Sequence, residues 1–472
     1  MKIEMFNFGD SLYDRLYNYD LRRQEIVSYI DNRLTTNYKK NEVQEKIIRL
    51  CKQLELPLNY WTISLLLLIY DKSSDSYSNN LFSILDVCVD EIFGKKQILL
   101  SSSKISFEQL KNICARLAKY LFKEHQDTVY SASYSTVLSF IEDQLNTMPR
   151  ISVNSKDILD FFIACGMLKY KNGNSFLVFR LNGFFEYFLA FQMTKDENFK
   201  SEVLNDEVRY LAFKNQLEIY SGFKRNDVDL LKTVYEKTRN KIDNIFEIYG
   251  DNVDDTLKSK AGVSREIEEF SRKISATKSL TTTEIAQIED ITNELDINAE
   301  VHLMKVIDPS EINSELIERY LLILGRVFKN LDEVDVPYEY VSEIFNYIIN
   351  SYCRFGFYII DEITELTKGE IINENTNLKD LPEFELLRLI SDFSPTISQI
   401  WLSESICHSS LEKIIKSEIE TFEKDISDNQ FKLFLLYFLL LDIDLKYVEA
   451  YIKKIMNNIR IPVLKYAIFI KL

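Results

Sequence analysis

Glycine and proline are scarce, at 11 and 7 among 472 residues. Sheet-rich and loop-rich folds need these residues at their turns, so the shortage moves the expectation to α-helix. No GxxxxGK[ST] and no GxGxxG occurs. A phosphate-cradling loop needs glycines at fixed offsets so that backbone N–H groups reach the anion. Phe93-Gly-Lys-Lys96 comes nearest, but it lacks the upstream glycine and the Ser/Thr. This chain alone is therefore expected not to hydrolyse a nucleotide. Histidine occurs three times (His125, His302, His408), never at HExxH or HxH spacing, so local sequence supports no metal site. Glu404 and His408, four apart, would meet on a helix as a solvated or capping pair. There is no CxxC. The six cysteines, 51, 88, 114, 165, 353 and 407, sit mostly in apolar helical patterns, which reads as reduced core thiols in a cytoplasmic protein. The opening MKIEMFNFGD has no apolar core of a signal peptide. The longest apolar runs, Trp61–Tyr70 and Leu433–Leu441, are about half of the ~20 residues a membrane helix needs, and read as buried core helices.

What is abundant is Ile, Leu, Phe and Tyr, within an apolar share of 46% that is ordinary for a folded protein. The length points to two or three domains. Acidic residues outnumber basic ones 73 to 57, a net charge of −16, and no Lys/Arg block stands out. Such a chain repels phosphate backbones and anionic lipid, which argues against nucleic acid or a membrane surface as the main partner.

Three regions follow from the patterning. Residues 1–100 read as a small helical domain, with helical periods over Leu12–Tyr17, Arg22–Leu34, Glu42–Leu54, Tyr60–Tyr70 and Leu81–Phe93, interrupted by Pro57 and a polar loop at 71–80. Residues 101–193 change character. Helices are expected over Ser106–Lys123, Tyr134–Leu145 and Ser155–Cys165, the last capped by Ser155 with Asp157 in its first turn. Two β-prone runs, Met167–Lys171 and Ser175–Arg180, flank Asn172-Gly-Asn174, a hairpin signal. Three helices and a hairpin make the winged-helix arrangement. The second strand runs into FLVFRLNGFFEYFLAFQM (176–193), an aromatic helix carrying one carboxylate, Glu186. Residues 194–472 read as α-solenoid-like stacked helices without a clean period. Their segments include Ser310–Asn330, Pro337–Phe355 and Asn429–Leu441, with Ile312, Leu316, Tyr320, Leu324 and Val327 marking one face. Residues 250–283 form a polar stretch, loop or polar helix. The expected fold class is thus all-α dominated.

The order of these pieces resembles the part of a STAND-class, NACHT-type signalling ATPase that lies C-terminal to its P-loop core. Leu54-Glu-Leu-Pro-Leu-Asn-Tyr-Trp-Thr-Ile-Ser-Leu-Leu-Leu-Leu-Ile-Tyr70 is similar to the family's small-helical-domain segment. Phe179-Arg-Leu-Asn-Gly-Phe-Phe-Glu-Tyr-Phe-Leu-Ala190 is similar to the motif closing its winged helix, with Phe179, Phe184, Glu186 and Tyr187 at the motif positions. The likeness covers roughly residues 1–195. It implies that both domains fold over ADP in a silent state and swing away on ATP exchange and ligand sensing. It places Pro57 near the adenine and Leu181 where the family has a histidine on the β-phosphate. Leucine donates no hydrogen bond, a departure from the family pattern. ADP or ATP is implied only for a complete parent protein, and no cofactor for this chain. A P-loop core would lie before Met1 or come from a partner, and Val463–Leu472 ends inside an apolar pattern, as a fragment would.

The resulting expectation is a non-catalytic regulatory and sensor portion of a STAND-type ATPase, in bacterial defence or signalling, with a protein ligand or its own copies as partner. A free-standing helical scaffold is the rival. A winged-helix DNA reader ranks last, because its recognition helix would be Ser155–Cys165, with one Lys and two Asp. Plainer roles exist for two of the residues. Pro57 suits a helix N-terminus, where its missing N–H costs little. Glu186 suits a buried carboxylate paired with a base or with backbone N–H groups.

Overall fold

The computed structural model describes residues 23–33, 43–44, 47–48, 51, 60, 62–64, 66–67, 81–96, 105–148, 153–171, 175–260, 301–331, 336–367, 383–443 and 448–471. They are dominated by α-helix, with one small antiparallel sheet. The chain divides into two compact units, Met1–Asn205 with Leu280–Lys305, and Asp206–Ser279 with Val306–Leu472. Pro57, Leu12–Tyr17 and most of the expected helices over 42–54 and 60–70 lie outside the described residues.

In the first unit, α1 (Arg23–Arg33) and α2 (Leu81–Lys96) precede α3 (Phe107–Glu124). A capping box starts α3. The Ser106 hydroxyl accepts from the Gln109 N–H, and the Gln109 side chain accepts from the Ser106 N–H. Next come β1 (Ala132–Ser133), α4 (Tyr134–Asn146), α5 (Ser155–Ala164), β2 (Leu168–Lys171), β3 (Phe176–Phe179), α6 (Asn182–Met193) and α7 (Glu197–Asn205). The cap of α5 is Asn154, whose side chain accepts from the Lys156 N–H, one residue earlier than Ser155. An amide oxygen outside the helix reaches the orphan N–H better than the hydroxyl of a residue already helical. Gly166, at φ 81°, ends α5 in the left-handed conformation glycine takes without strain.

The expected hairpin is present. Leu168 pairs with Phe179 and Lys171 with Phe176, while the turn at 172–174 lies outside the described residues. A third strand joins it: β1 pairs with β3 (Ala132 with Leu177), giving the order β1-β3-β2. Two residues between helices offer no alternation to read, so the hydrophobic pattern does not announce β1.

The second unit holds α8 (Glu207–Ala212), α9 (Lys214–Phe223), α10 (Val228–Phe246), α11 (Val253–Lys260), α12 (Ser314–Phe328), α13 (Tyr338–Thr367), α14 (Glu383–Ile406), α15 (Glu412–Phe422), α16 (Gln430–Ile443), α17 (Val448–Asn458) and α18 (Pro462–Lys471). Of the face expected on α12, Leu316, Tyr320, Leu324 and Val327 are buried, but Ile312 is 55% exposed. The helix starts later than the pattern suggests. Asn313 caps it by accepting from the Leu316 N–H, which leaves Ile312 ahead of the first turn. The apolar run Leu433–Leu441 is buried within α16. No helix of the described residues is long and apolar enough to cross a membrane.

Part of the polar stretch is structural. Asp254 of α11 is fully buried and accepts from the Gln430 and Phe431 N–H groups at 2.7 and 2.9 Å, capping α16 from a distant part of the chain. His408 is a smaller case of the same device. Its Nδ1 accepts from the Ser410 N–H at 3.2 Å and starts a 3-10 turn, so it must be unprotonated. Burial, then Lys329 and Arg225, lower its pKa from 6.5 to about 4, against an opposing pull from Glu218. A depressed folded-state pKa contributes stability that is complete above pH 6.5 and lost as pH falls through about 4. Asparagine caps without titrating. The stability difference between the wild type and His408→Asn should therefore shrink or invert by on the order of 1–3 kcal/mol between pH 7.5 and pH 4, read from urea midpoints.

Candidate functional site

The motif segment is deeply buried in the first unit. Phe184 to Met193 are all buried, and Phe179, Phe184, Tyr187 and Phe188 show no exposed surface. Phe179 on β3 lies 5.7 Å from both Phe185 and Phe188, centroid to centroid, and Phe185 stacks on Tyr130 at 4.8 Å. The rings thus join the sheet to α6. Gly183 lets α6 approach α2 closely, since a Cβ there would lie 3.2 Å from Leu85 Cδ2. Glu186 is 9% exposed among these rings.

Leu181 is the N-cap of α6. Its backbone is extended, its carbonyl accepts from the Phe184 and Phe185 N–H groups at 3.1 and 3.3 Å, and its side chain makes no capping bond. At 5% exposure it fills space at the helix start and presents no donor there. Tyr187 has a polar partner instead. Its hydroxyl donates to Asp86 Oδ1 at 2.5 Å.

Asp86 belongs to a network of α2, α3 and α6. Lys111 Nζ lies 3.2 Å from Asp86 Oδ1 and 3.3 Å from Asp90 Oδ1. The same ammonium sits 5.1, 5.4 and 5.6 Å from the ring centroids of Phe107, Tyr187 and Phe191. Lys111 is only 6% exposed at its side chain, whereas Asp86 is 32% and Asp90 55% exposed. Burial, then the Asp86 carboxylate, raise the Tyr187 phenol well above its ordinary value, so it stays a donor. Burial also raises Asp90, against the pull of Lys111. A buried cation held by two carboxylates and three rings cross-links the helices. It contains no nucleophile–base pair. Phe184, Glu186 and Tyr187 lie on α6 and Phe179 packs against it, and Lys111 and Asp86 join Tyr187 although no sequence motif points to either. The available signal was register: Lys111 falls on the buried stripe of α3 with Cys114, Ala115 and Ala118.

A polar cleft of about 490 Å³ lies beside the same helices, lined by residues including Asn112, Arg116, Gln192, Lys195 and Asp196. Asp196 is already engaged by Lys119 Nζ at 2.5 Å and the Phe199 N–H at 3.0 Å. Small-molecule sites are mostly apolar with a few placed polar groups, so this lining suits solvent better than a ligand. Ahead of β1, Val129 and Tyr130 take φ 54° and 53°, a strained conformation for a β-branched and an aromatic residue. The turn is held by Val129 N–H to the Gln126 carbonyl and Tyr130 N–H to the His125 carbonyl, at 2.9 and 2.8 Å. It directs the Tyr130 ring onto Phe185, while the main chain of Met304 bonds its hydroxyl.

A family model described as Novel STAND NTPase 4 matches residues 130–189. The matched span opens at Tyr130 and runs through β1, α4, α5, β2 and β3 into α6. This part of the chain is related to a STAND NTPase family. Comparison with curated proteins and with solved structures returns no match.

Proposed function

We propose that the chain is the regulatory and sensor portion of a STAND-type ATPase, non-catalytic by itself. One observation carries the reading. The family match at 130–189 falls on the segment whose motif, Phe179–Ala190, independently resembles the end of a STAND winged helix. The element order α3, β1, α4, α5, β2, β3 supports a winged helix over 101–193, because it alternates helices and strands as that fold does. On this reading residues 1–100 supply the small helical domain. The helical region after 193, stacked like a solenoid, binds a protein ligand or restrains self-assembly in a cytoplasmic defence or signalling protein. The P-loop core belongs to another segment or to a partner. Leu181 in place of the family's histidine means that any latch on bound nucleotide uses other groups.

Equilibrium dialysis of the purified chain against ADP and ATPγS tests the non-catalytic assignment. Negligible binding of both is expected. Micromolar binding of either would overturn it.

A further inference from the structure

The second unit carries an aromatic and acidic face between α10 and α13. The ring of Tyr235 meets those of Tyr347 and Tyr340 edge-on, at 5.1 and 6.2 Å. The Tyr235 hydroxyl donates to Glu343 Oε1 at 3.0 Å, and the Tyr347 hydroxyl to Asp243 Oδ1 at 2.7 Å. One guanidinium of the chain is seated here. Arg239 lies 5.5 Å over the Tyr235 ring, with its Nε 3.2 Å from Asp243 Oδ2. That is a complete recognition unit for arginine, a ring face with a carboxylate at its edge.

A second ring with carboxylates beside it, Tyr340, has no cation seated over its face among the described residues, although the charge of Arg239 on the neighbouring Tyr235 ring reaches it. Tyr340 is half-buried and flanked by the carboxylates of Glu343 and Glu236, both exposed. Exposed Glu339 lies one helical turn before Glu343. None of these three carboxylates forms an ion pair among the described residues. Lys232, a turn before Glu236, and Arg239, already paired with Asp243, are the cations beside them on this stripe of α10, so among the described residues the face keeps an acidic surplus. From this juxtaposition we propose that the α10–α13 face, centred on Tyr340, Glu236 and Glu343, docks a basic, arginine-bearing segment of a partner protein. The occupant follows from charge and shape. Acidic surplus selects a cationic segment, and the rings select the planar guanidinium over the compact, strongly hydrated ammonium of lysine. The inference deepens the sensor reading of this region and rests on it.

The test uses the full chain and a fluorescein-labelled peptide of four Gly-Arg repeats, with a Gly-Lys peptide of equal charge. Anisotropy is read at about 0.15 M salt, where exposed charges are screened beyond roughly 8 Å. The Arg peptide should bind more tightly than the Lys peptide. Tyr340→Ala, which changes no charge, should weaken the Arg peptide roughly three- to tenfold, and Tyr340→Phe should preserve it. The exposed pair Glu236→Gln and Glu343→Gln should weaken both peptides, and it supplies the test if Tyr340→Ala misfolds. Failure of the Arg peptide to bind, equal binding of both peptides, or wild-type binding by a folded Tyr340→Ala protein would each overturn the proposal. The assay involves no nucleotide. A negative result here leaves the STAND reading standing, and ADP binding by the chain would overturn that reading without touching this one.

Discussion

Replacing Glu218 with alanine is expected to destabilise the second unit by about 3–5 kcal/mol, the largest effect of any single polar substitution considered. Glu218, on α9, is 3% exposed at its side chain. Its Oε1 lies 2.7 Å from Lys329 Nζ, and its Oε2 lies 3.3 Å from Arg326 Nη1. Lys329, at the C-terminus of α12, is 4% exposed, and Arg326 is 15% exposed. Around this core Asn330 donates to the Glu218 carbonyl and to Ser221 Oγ, both at 2.9 Å. Removing the carboxylate strands two cations with little access to water. Burial already lowers the Lys329 pKa despite the opposing effect of Glu218, so the orphaned amine would shed its proton before bearing the full cost of a naked charge. Hydrogen exchange at the amides of α9 and α12 reads the loss locally, without assuming that the whole chain unfolds in one step. Glu218→Leu combined with Lys329→Met should recover much of it, because an apolar pair of similar volume often matches a buried ion pair. No recovery, or a loss below ~1 kcal/mol in the single variant, would contradict the assignment.

In the first unit Asp86→Ala should cost about 2–4 kcal/mol, and Lys111→Met distinctly less. Asp86→Ala breaks one of the two ion pairs of Lys111, and Lys111→Met breaks both. They differ in what is left behind. Without Asp86, the ammonium of Lys111, 6% exposed, keeps only the half-solvated Asp90, and the buried Tyr187 hydroxyl loses its acceptor. Without Lys111, the exposed side of Asp86 remains hydrated and still accepts from Tyr187, and methionine refills the space between the three rings. The triple change Asp86→Ala, Lys111→Met, Tyr187→Phe should regain most of the Asp86→Ala loss. Urea midpoints and exchange protection of α6 amides measure the order. Equal costs for the two single variants would mean that burial does not govern this network.

These networks also mark where reading the chain from its residues stops. Periodicity finds long amphipathic helices well, as with α3, α4 and α5, because apolar spacing is a local property. The Asn-Gly signal similarly marks β2 and β3, and the near absence of glycine and proline anticipates the helical class. What is settled between distant residues escapes. Lys111 looks like any lysine on an amphipathic helix until its register is laid against α2 and α6. Asp254 sits in a stretch that reads as solvated, yet it caps a helix 176 positions later in the chain. Strand β1 depends on a turn with two left-handed residues, Val129 and Tyr130, whose types argue against that conformation. The motif residues Phe179 and Tyr187 both pack on the Phe188 ring, while Leu181 is placed by its backbone and supplies no polar group.

The central proposal is that this chain regulates a P-loop ATPase core supplied by another segment or by a partner. Native mass spectrometry of the protein isolated from the cells that make it tests this most directly. The account predicts a longer polypeptide, or a complex, that includes a P-loop segment and carries bound ADP or ATP. Recovery of the chain by itself, nucleotide-free and with no P-loop segment attached, would contradict it.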